Sequence, residues 1–273
     1  MHLIDHGRNY VEETYKRPFF DRLFRNVLSF VLPRPKVFLA LAYLSKLIKP
    51  FSFLLPTFLK NSLNLMPNKI PSKKIETQKI YKPENGKIIS RVALLTGCVQ
   101  RVISPEINES TIRILNRPNV EVVVMPEIDC CGSLNHHLGK KDLAHQSFVK
   151  NIEKWHEEYI ANGLDAIISN TSGCGTTLKD YGHIFKNNND LKKKAKKISE
   201  LTKDVTEYLE ESLDLKIKTN DEKKYKIAYH SACSMQHGQR VHQQPKDLIS
   251  KTGNEVIDIP EGHLCCGSAG NYN

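Results

Sequence analysis

The sequence lacks several features, and each absence narrows its class. No secretory leader is expected from its start, since Met1-His2-Leu3-Ile4-Asp5-His6 is not a basic segment followed by an apolar one. Its head has no apolar run near the roughly 20 residues that a membrane span needs; the longest there is Val37 to Leu44. It has no cysteine from residue 1 to residue 97. It has none of the short C-x₂₋₄-C knuckles that structural zinc sites usually use. No DNA- or RNA-binding signature accompanies its basic residues, so no nucleic-acid partner is expected.

What is present is a globular composition, 40% hydrophobic and 26% charged over 273 residues. That suffices for one or two domains and a sizeable core. The net charge of +10 would suit an anionic membrane surface or an acidic partner, but a solvated lysine-rich surface explains it equally well. The seven cysteines are odd in number, and two pairs are adjacent. Such a set in a long chain is no secreted disulfide framework. It points to metal or redox chemistry in the cytoplasm.

The cysteines are organised by a repeat. Cys98 precedes the pair Cys130-Cys131 by 31 intervening residues, and Cys233 precedes Cys265-Cys266 by the same 31. Each pair continues into Gly-Ser, and the two copies are offset by 135 residues. This spacing is read as an internal duplication.

Residues 1–60 read as a basic amphipathic helical segment. Phe20, Leu23, Phe24, Val27, Leu28 and Val31 recur at three- and four-residue steps and form one apolar face. A second helix is expected from Lys36 to Ile48. Core-facing stripes are the commoner use of this pattern, so docking on the protein's own core or on a partner subunit is preferred to a membrane surface. Residues 61–87 read as a linker.

An α/β pattern follows. Residues 88–190 form the first repeat, with strands at Arg91–Leu95, Val120–Met125 and Asp165–Ser169. Helices separate them over Pro105–Arg117 (Ile107, Ile112 and Ile114 among its apolar positions) and Asp142–Asn162 (Leu143, Phe148, Ile152 and Trp155 towards the core). Alternation of this kind predicts a parallel sheet. All three cysteine loops then lie at the carboxyl ends of strands, where open α/β sheets gather ligands. Residues 191–222 are a connecting helix and linker. Residues 223–273 are the second, incomplete copy, with strands at Tyr225–His230 and Glu255–Ile259 and a helix over Gln244–Thr252. The position equivalent to Cys174 falls beyond Asn273, so the sequence is read as a fragment.

Four thiols, Cys98, Cys130, Cys131 and Cys174, at one sheet edge suit zinc or an iron–sulfur cluster. Ligands spread over three loops, two of them adjacent, favour a cluster with several irons. Glycines beside them let backbone N–H groups approach sulfur. Weaker readings are buried core cysteines and a nucleophilic cysteine paired with His136, His137 or His263.

The lone cysteine, then Cys-Cys-Gly, then a further cysteine, in two copies, resembles the cysteine-rich (CCG) domain. That domain occurs in heterodisulfide reductases, in lactate-utilisation iron–sulfur proteins and in the iron–sulfur subunit of glycolate oxidase. The stretches VALLTGCVQ (92–100), NTSGCG (170–175), HSACSMQHGQ (230–239) and HLCCGSAGNYN (263–273) are most similar to the last of these. The resemblance implies an electron-transfer subunit of a glycolate dehydrogenase-type complex. Its cluster, of 4Fe–4S type, would be held by Cys98, Cys130, Cys131 and Cys174, with Cys233, Cys265 and Cys266 as an incomplete second set. It implies FAD in partner subunits that oxidise glycolate to glyoxylate, and a quinone or other acceptor. It also implies a cytoplasmic location, with peripheral contact at the inner face of the membrane as a further expectation. No residue is assigned to catalysis on the substrate. The family's ferredoxin-like domain is expected to be missing, because residues 1–97 hold no cysteine. A lactate-utilisation or heterodisulfide-reductase-like subunit is the alternative, and a structural zinc or scaffold protein is the alternative of another class.

Overall fold

Three aliphatic runs build the centre of the protein. In a computed structural model, which describes residues 2–64, 66, 79–213, 215, 217, 219 and 224–264, they become β2 (Ser90–Leu95), β3 (Val120–Val123) and β4 (Ala166–Ser169). All three are parallel, with β2 central and Val92 paired to both Val122 and Ala166. Their side chains alternate between two buried faces, as a parallel sheet covered on both sides requires. Ala93, Leu95, Val123 and Ile167 point into one core, beside Phe148, Ile152 and Trp155. Val92, Leu94, Val122 and Ile168 point into the other, beside Leu115 and Leu209. Each of these fully buried large side chains contributes about 1.5–3 kcal/mol from apolar burial.

Helices cover both faces. The head supplies α1 (His2–Thr14), α2 (Phe19–Val31), α3 (Pro35–Ile48), a 3-10 turn over Lys49–Leu54 and α4 (Thr57–Asn64). The first repeat supplies α5 (Gln100–Ile103), α6 (Pro105–Asn116), α7 (Ser133–His137), α8 (Lys141–Asn162), α9 (Ser172–Lys179), α10 (Tyr181–Ile184) and α11 (Lys192–Leu201). α12 (Val205–Glu211) begins on a capping box: Thr206 N–H donates to the Asp204 carboxylate, and Glu207 accepts from the Asp204 N–H.

Two further strands complete the sheet, in the order β1-β3-β2-β4-β5. β1 (Ile80–Tyr81) runs antiparallel on the β3 edge, and β5 (Thr202–Asp204) runs parallel on the β4 edge. β1 falls in the expected linker 61–87, of which residues 65 and 67–78 lie outside the described residues. β5 falls beyond the expected end of the first repeat at 190. Thr-Lys-Asp has no apolar alternation, so nothing in its composition announces a strand. Exposure corrects the expected core face of α8 at Leu143 and sorts the apolar positions of α6. Ile107 and Ile114 of α6 and Leu143 of α8 are exposed, while Ile112, Phe148, Ile152 and Trp155 are buried.

The duplication is visible in space. Shifting by 135 residues carries β2 onto β6 (Lys226–Ala228), α6 onto α13 (Gln244–Lys251) and β3 onto β7 (Glu255–Ile257). β6 and β7 are paired in parallel, like their counterparts.

The largest correction concerns the head. Most of the apolar face of α2 is not covered by the protein's own core: Phe20, Leu23, Phe24 and Val27 are exposed, while Val31 at the end of the helix packs against the Phe38, Ala42 and Val102 cluster; docking on a partner subunit is untouched by this. Periodicity identifies the face correctly but says nothing about what covers it. Moreover, α3 continues into the 3-10 turn, so Pro35–Leu54 is a helical stretch of 20 residues whose most apolar window has mean hydropathy 1.5 and is only 11% buried. By length and composition alone it could cross a membrane, a possibility that the length of the uninterrupted apolar run conceals.

Candidate iron–sulfur centre

The three loops that leave the carboxyl ends of β2, β3 and β4 bring four thiols together. Cys98 follows β2, Cys130 and Cys131 follow β3, and Cys174 sits in the first turn of α9 after β4. Cys131 Sγ lies 3.0 Å from Cys174 Sγ. Cys130 is hydrogen-bonded to both Cys98 and Cys131. The four form a continuous row of thiols, none of them in a disulfide. Among the described residues, no three Cys, His, Asp or Glu side chains converge as a single-ion site requires.

Backbone and side-chain donors surround the sulfurs. The N–H of Gly132 lies 3.4 Å from Cys130 Sγ, and the N–H of Ser133 lies 3.4 Å from Cys131 Sγ. Cys130 is held well below the ordinary thiol range. Hydrogen bonds from Cys131 and Cys98, the Gly132 N–H and the nearby Arg101 guanidinium outweigh its burial. Cys98 and Cys131 are pushed the other way, chiefly because each donates to Cys130, with burial adding to the shift. This is the behaviour of thiols sharing one negative charge. Arg101 is held in place by Asp129, 3.0 Å away.

Gly132 has to be glycine. Its φ is +81°, and a Cβ there would come within 2.5 Å of the buried Phe148 ring. Gly132→Ala combines left-handed strain with overpacking and is expected to destabilise the protein by about 2–4 kcal/mol. A urea titration checks this, with Gly86→Ala as the control, since Gly86 shares a positive φ but has open space around it.

Buried polar side chains, which the sequence reading does not single out, hold the loops. Asn108, fully buried, donates to Thr96 O and accepts from Gln100 and Asn170. Thr171 in turn donates to Gln100. This network ties the Cys98 loop to the Cys174 loop through α6. Asn151 of α8 donates to Cys130 O at 2.8 Å, and the Tyr181 hydroxyl donates to Cys131 O at 2.7 Å. Burial pushes the Tyr181 hydroxyl well above its ordinary range, so it remains a donor. Short polar residues in helices carry no periodic signal, which is why this layer is silent in the sequence.

The histidines are engaged elsewhere. His136 Nε2 lies 3.5 Å from Asp5, and His137 Nδ1 accepts from Arg8 at 2.9 Å. They fasten α1 to the helix that follows the cysteine pair, an arrangement that does not supply a cysteine with a base.

The second copy touches the first beside Cys174. Cys233 precedes a π-helical turn over Ser234–Gln239. Thr176 donates to Ser234 O at 2.9 Å, and the buried Gln239 donates to Ser172 O at 2.9 Å. His263 is described and its carbonyl contacts His237. Cys265 and Cys266 lie outside the described residues, so their positions are not part of this geometry.

Four thiols, N–H groups aimed at sulfur and a nearby guanidinium suit an iron–sulfur cluster as a donor set. Comparison with known proteins agrees. The family model described as "Cysteine-rich domain" (CCG) matches residues 92–179 and 227–273, which together include all seven cysteines. The chain is 35% identical over 99% of its length to the glycolate oxidase iron-sulfur subunit of Escherichia coli (strain K12), of which it covers 62%. It is 28% identical over 80% of its length to the probable glycolate oxidase iron-sulfur subunit of Bacillus subtilis (strain 168), of which it covers 49%. It is also 25% identical over 67% of its length to lactate utilization protein A of Anoxybacillus flavithermus, covering 74% of that protein. The chain thus spans 49% to 62% of the glycolate oxidase subunits that it matches. With the Cys-Cys-Gly loop, its sheet-edge setting and its duplication on the page, the chain belongs to the cysteine-rich (CCG) domain family.

Proposed function

We propose that the protein is an iron–sulfur electron-transfer subunit of a glycolate oxidase or dehydrogenase complex. Cys98, Cys130, Cys131 and Cys174 would hold a cluster of 4Fe–4S type; Cys233, Cys265 and Cys266 would contribute to a second site. When bound, the cluster supplies one-electron redox chemistry. This chain's own residues ligate, orient and tune it. Gly132 and Ser133 present N–H groups to sulfur, Arg101 offsets negative charge, and Asn151 and Tyr181 fix the backbone of the cysteine pair. A flavin-bearing partner would oxidise glycolate to glyoxylate, and electrons would leave towards a quinone or another acceptor. The carbon chemistry belongs to the flavin; no residue of this chain is assigned to it.

The observation that carries this reading is the convergence of four thiols from three neighbouring parallel strands, in a chain similar over nearly its whole length to glycolate oxidase iron-sulfur subunits. The test is anaerobic purification with iron and acid-labile sulfide analysis. About four irons and four sulfides per occupied site are expected. One zinc without sulfide would overturn the reading in favour of a structural metal site. With the flavoprotein partner added, glycolate rather than lactate should bleach the cluster's visible absorption; the opposite preference would move the substrate to the lactate-utilisation branch.

A further inference from the structure

We infer that the head of the protein, α2 through the 3-10 turn, is a docking face for an anionic lipid surface and lies in the plane of the membrane interface. Three independent features of the segment converge on it.

The first is exposure. On α2, Phe20 is 80% exposed, and Leu23, Phe24 and Val27 accompany it at helical spacing. In α3, Phe38 and Ala42 pack onto Val102 of α5 and seat the helix. The other side leaves Leu44 and Leu47 exposed, and Phe53 and Leu54 in the following turn are 72% and 71% exposed. Soluble surfaces rarely expose apolar side chains this densely unless something binds there.

The second is charge. From Phe19 to Asn64 the chain has seven Lys or Arg and one acidic residue, Asp21, which is paired with Arg17. This segment therefore accounts for most of the chain's net charge of +10. A protein-binding face commonly carries both signs around its rim. An amphipathic segment with an aromatic and leucine face and predominantly basic charge is what an anionic bilayer recognises. The long Lys and Arg stems can lie along the apolar face with their charges at headgroup level.

The third is attachment, which decides between lying on the membrane and crossing it. Ser29 donates to Asn135 at 2.6 Å, and Arg25 donates to Leu138 O at 2.8 Å. With the Phe38 contact, these hold both helices along the protein body. Crossing would strip these contacts and drag Lys46 and Lys49 into the hydrocarbon core, a costly move for any charge. Docking from the side needs neither. The face is joined to the site, because Asn135 and Leu138 follow directly from the Cys130-Cys131-Gly132 loop.

The test is co-sedimentation of the full chain with vesicles of phosphatidylcholine alone or mixed with phosphatidylglycerol. Binding is expected to the mixed vesicles and to weaken as salt rises. Each of Lys36→Gln and Lys46→Gln should weaken it about fivefold. Phe20→Ser with Phe53→Ser should abolish it while leaving the circular dichroism spectrum and the iron content unchanged. Two results would overturn the inference. One is equal sedimentation of wild type and the Phe20/Phe53 variant. The other is no vesicle binding together with a dimer that the same variant dissociates, which would make the occupant a second copy. Neither touches the iron–sulfur reading, which is measured by iron and sulfide.

Discussion

Cys131→Ser is expected to abolish the iron and labile sulfide of the first site while leaving the fold intact. Cys131 is 3% exposed and sits in the row between Cys130 and Cys174. Serine keeps the shape and the local hydrogen bonds, so the unfolding midpoint of metal-free protein should move little. It removes the soft thiolate, however, and an alcohol does not ionise at neutral pH to replace it. One missing ligand in a buried four-thiol set leaves an iron uncovered, so the loss should be close to complete rather than proportional. Cys233→Ser is the matched comparison, since Cys233 lies in the second copy. It should leave the first site's iron untouched. If Cys131→Ser kept its full iron content, the assignment of Cys98, Cys130, Cys131 and Cys174 as one ligand set would fail. Asn151→Leu separates ligation from tuning. Asn151 donates to the Cys130 carbonyl and to the Tyr181 hydroxyl and is no ligand itself, so iron should be retained and the reduction potential should shift.

How much of this was legible in the sequence depends on what kind of signal each part leaves. β2, β3 and β4 were legible because buried parallel strands are aliphatic on both faces. The placement of Cys98, Cys130 and Cys174 at one sheet edge followed from strand–loop order alone. The duplication was legible as spacing, and the same offset of 135 residues superimposes β6, α13 and β7 on their counterparts. β5 was hidden because an edge strand of Thr-Lys-Asp pairs through its backbone, which has no compositional trace. Asn108 and Asn151 were hidden because what they do depends on residues distant in sequence. The apolar stripe of α2 was legible as a stripe. Its outward orientation was not, since the same 3.6-residue period serves a core or an external surface.

Replacement of Arg91 by methionine is expected to cost about 3–5 kcal/mol, with the cysteine site unaffected in protein that remains folded. Arg91 lies near the amino end of β2, opposite the cysteine loops. Its guanidinium donates to Glu121 at 2.7 Å, to Glu158 at 2.6 Å and to Gly163 O at 2.9 Å. Both glutamates are buried. Burial works against the Arg91 charge, but Glu158 and Glu121 hold it protonated even more firmly than usual. Methionine matches much of the stem's volume, so lost packing is a minor part of the change. The cost comes from two buried carboxylates left without their cation and from a carbonyl left without its donor. Replacing the acids as well, in Arg91→Met with Glu121→Gln and Glu158→Gln, removes those stranded charges and should recover much of the loss. A urea titration of the two variants reads this directly as a difference in midpoint at similar slope. If the single variant were as stable as wild type, the triad would contribute nothing to folding. If the triple variant were no better than the single, the penalty would lie in packing rather than in uncompensated charge.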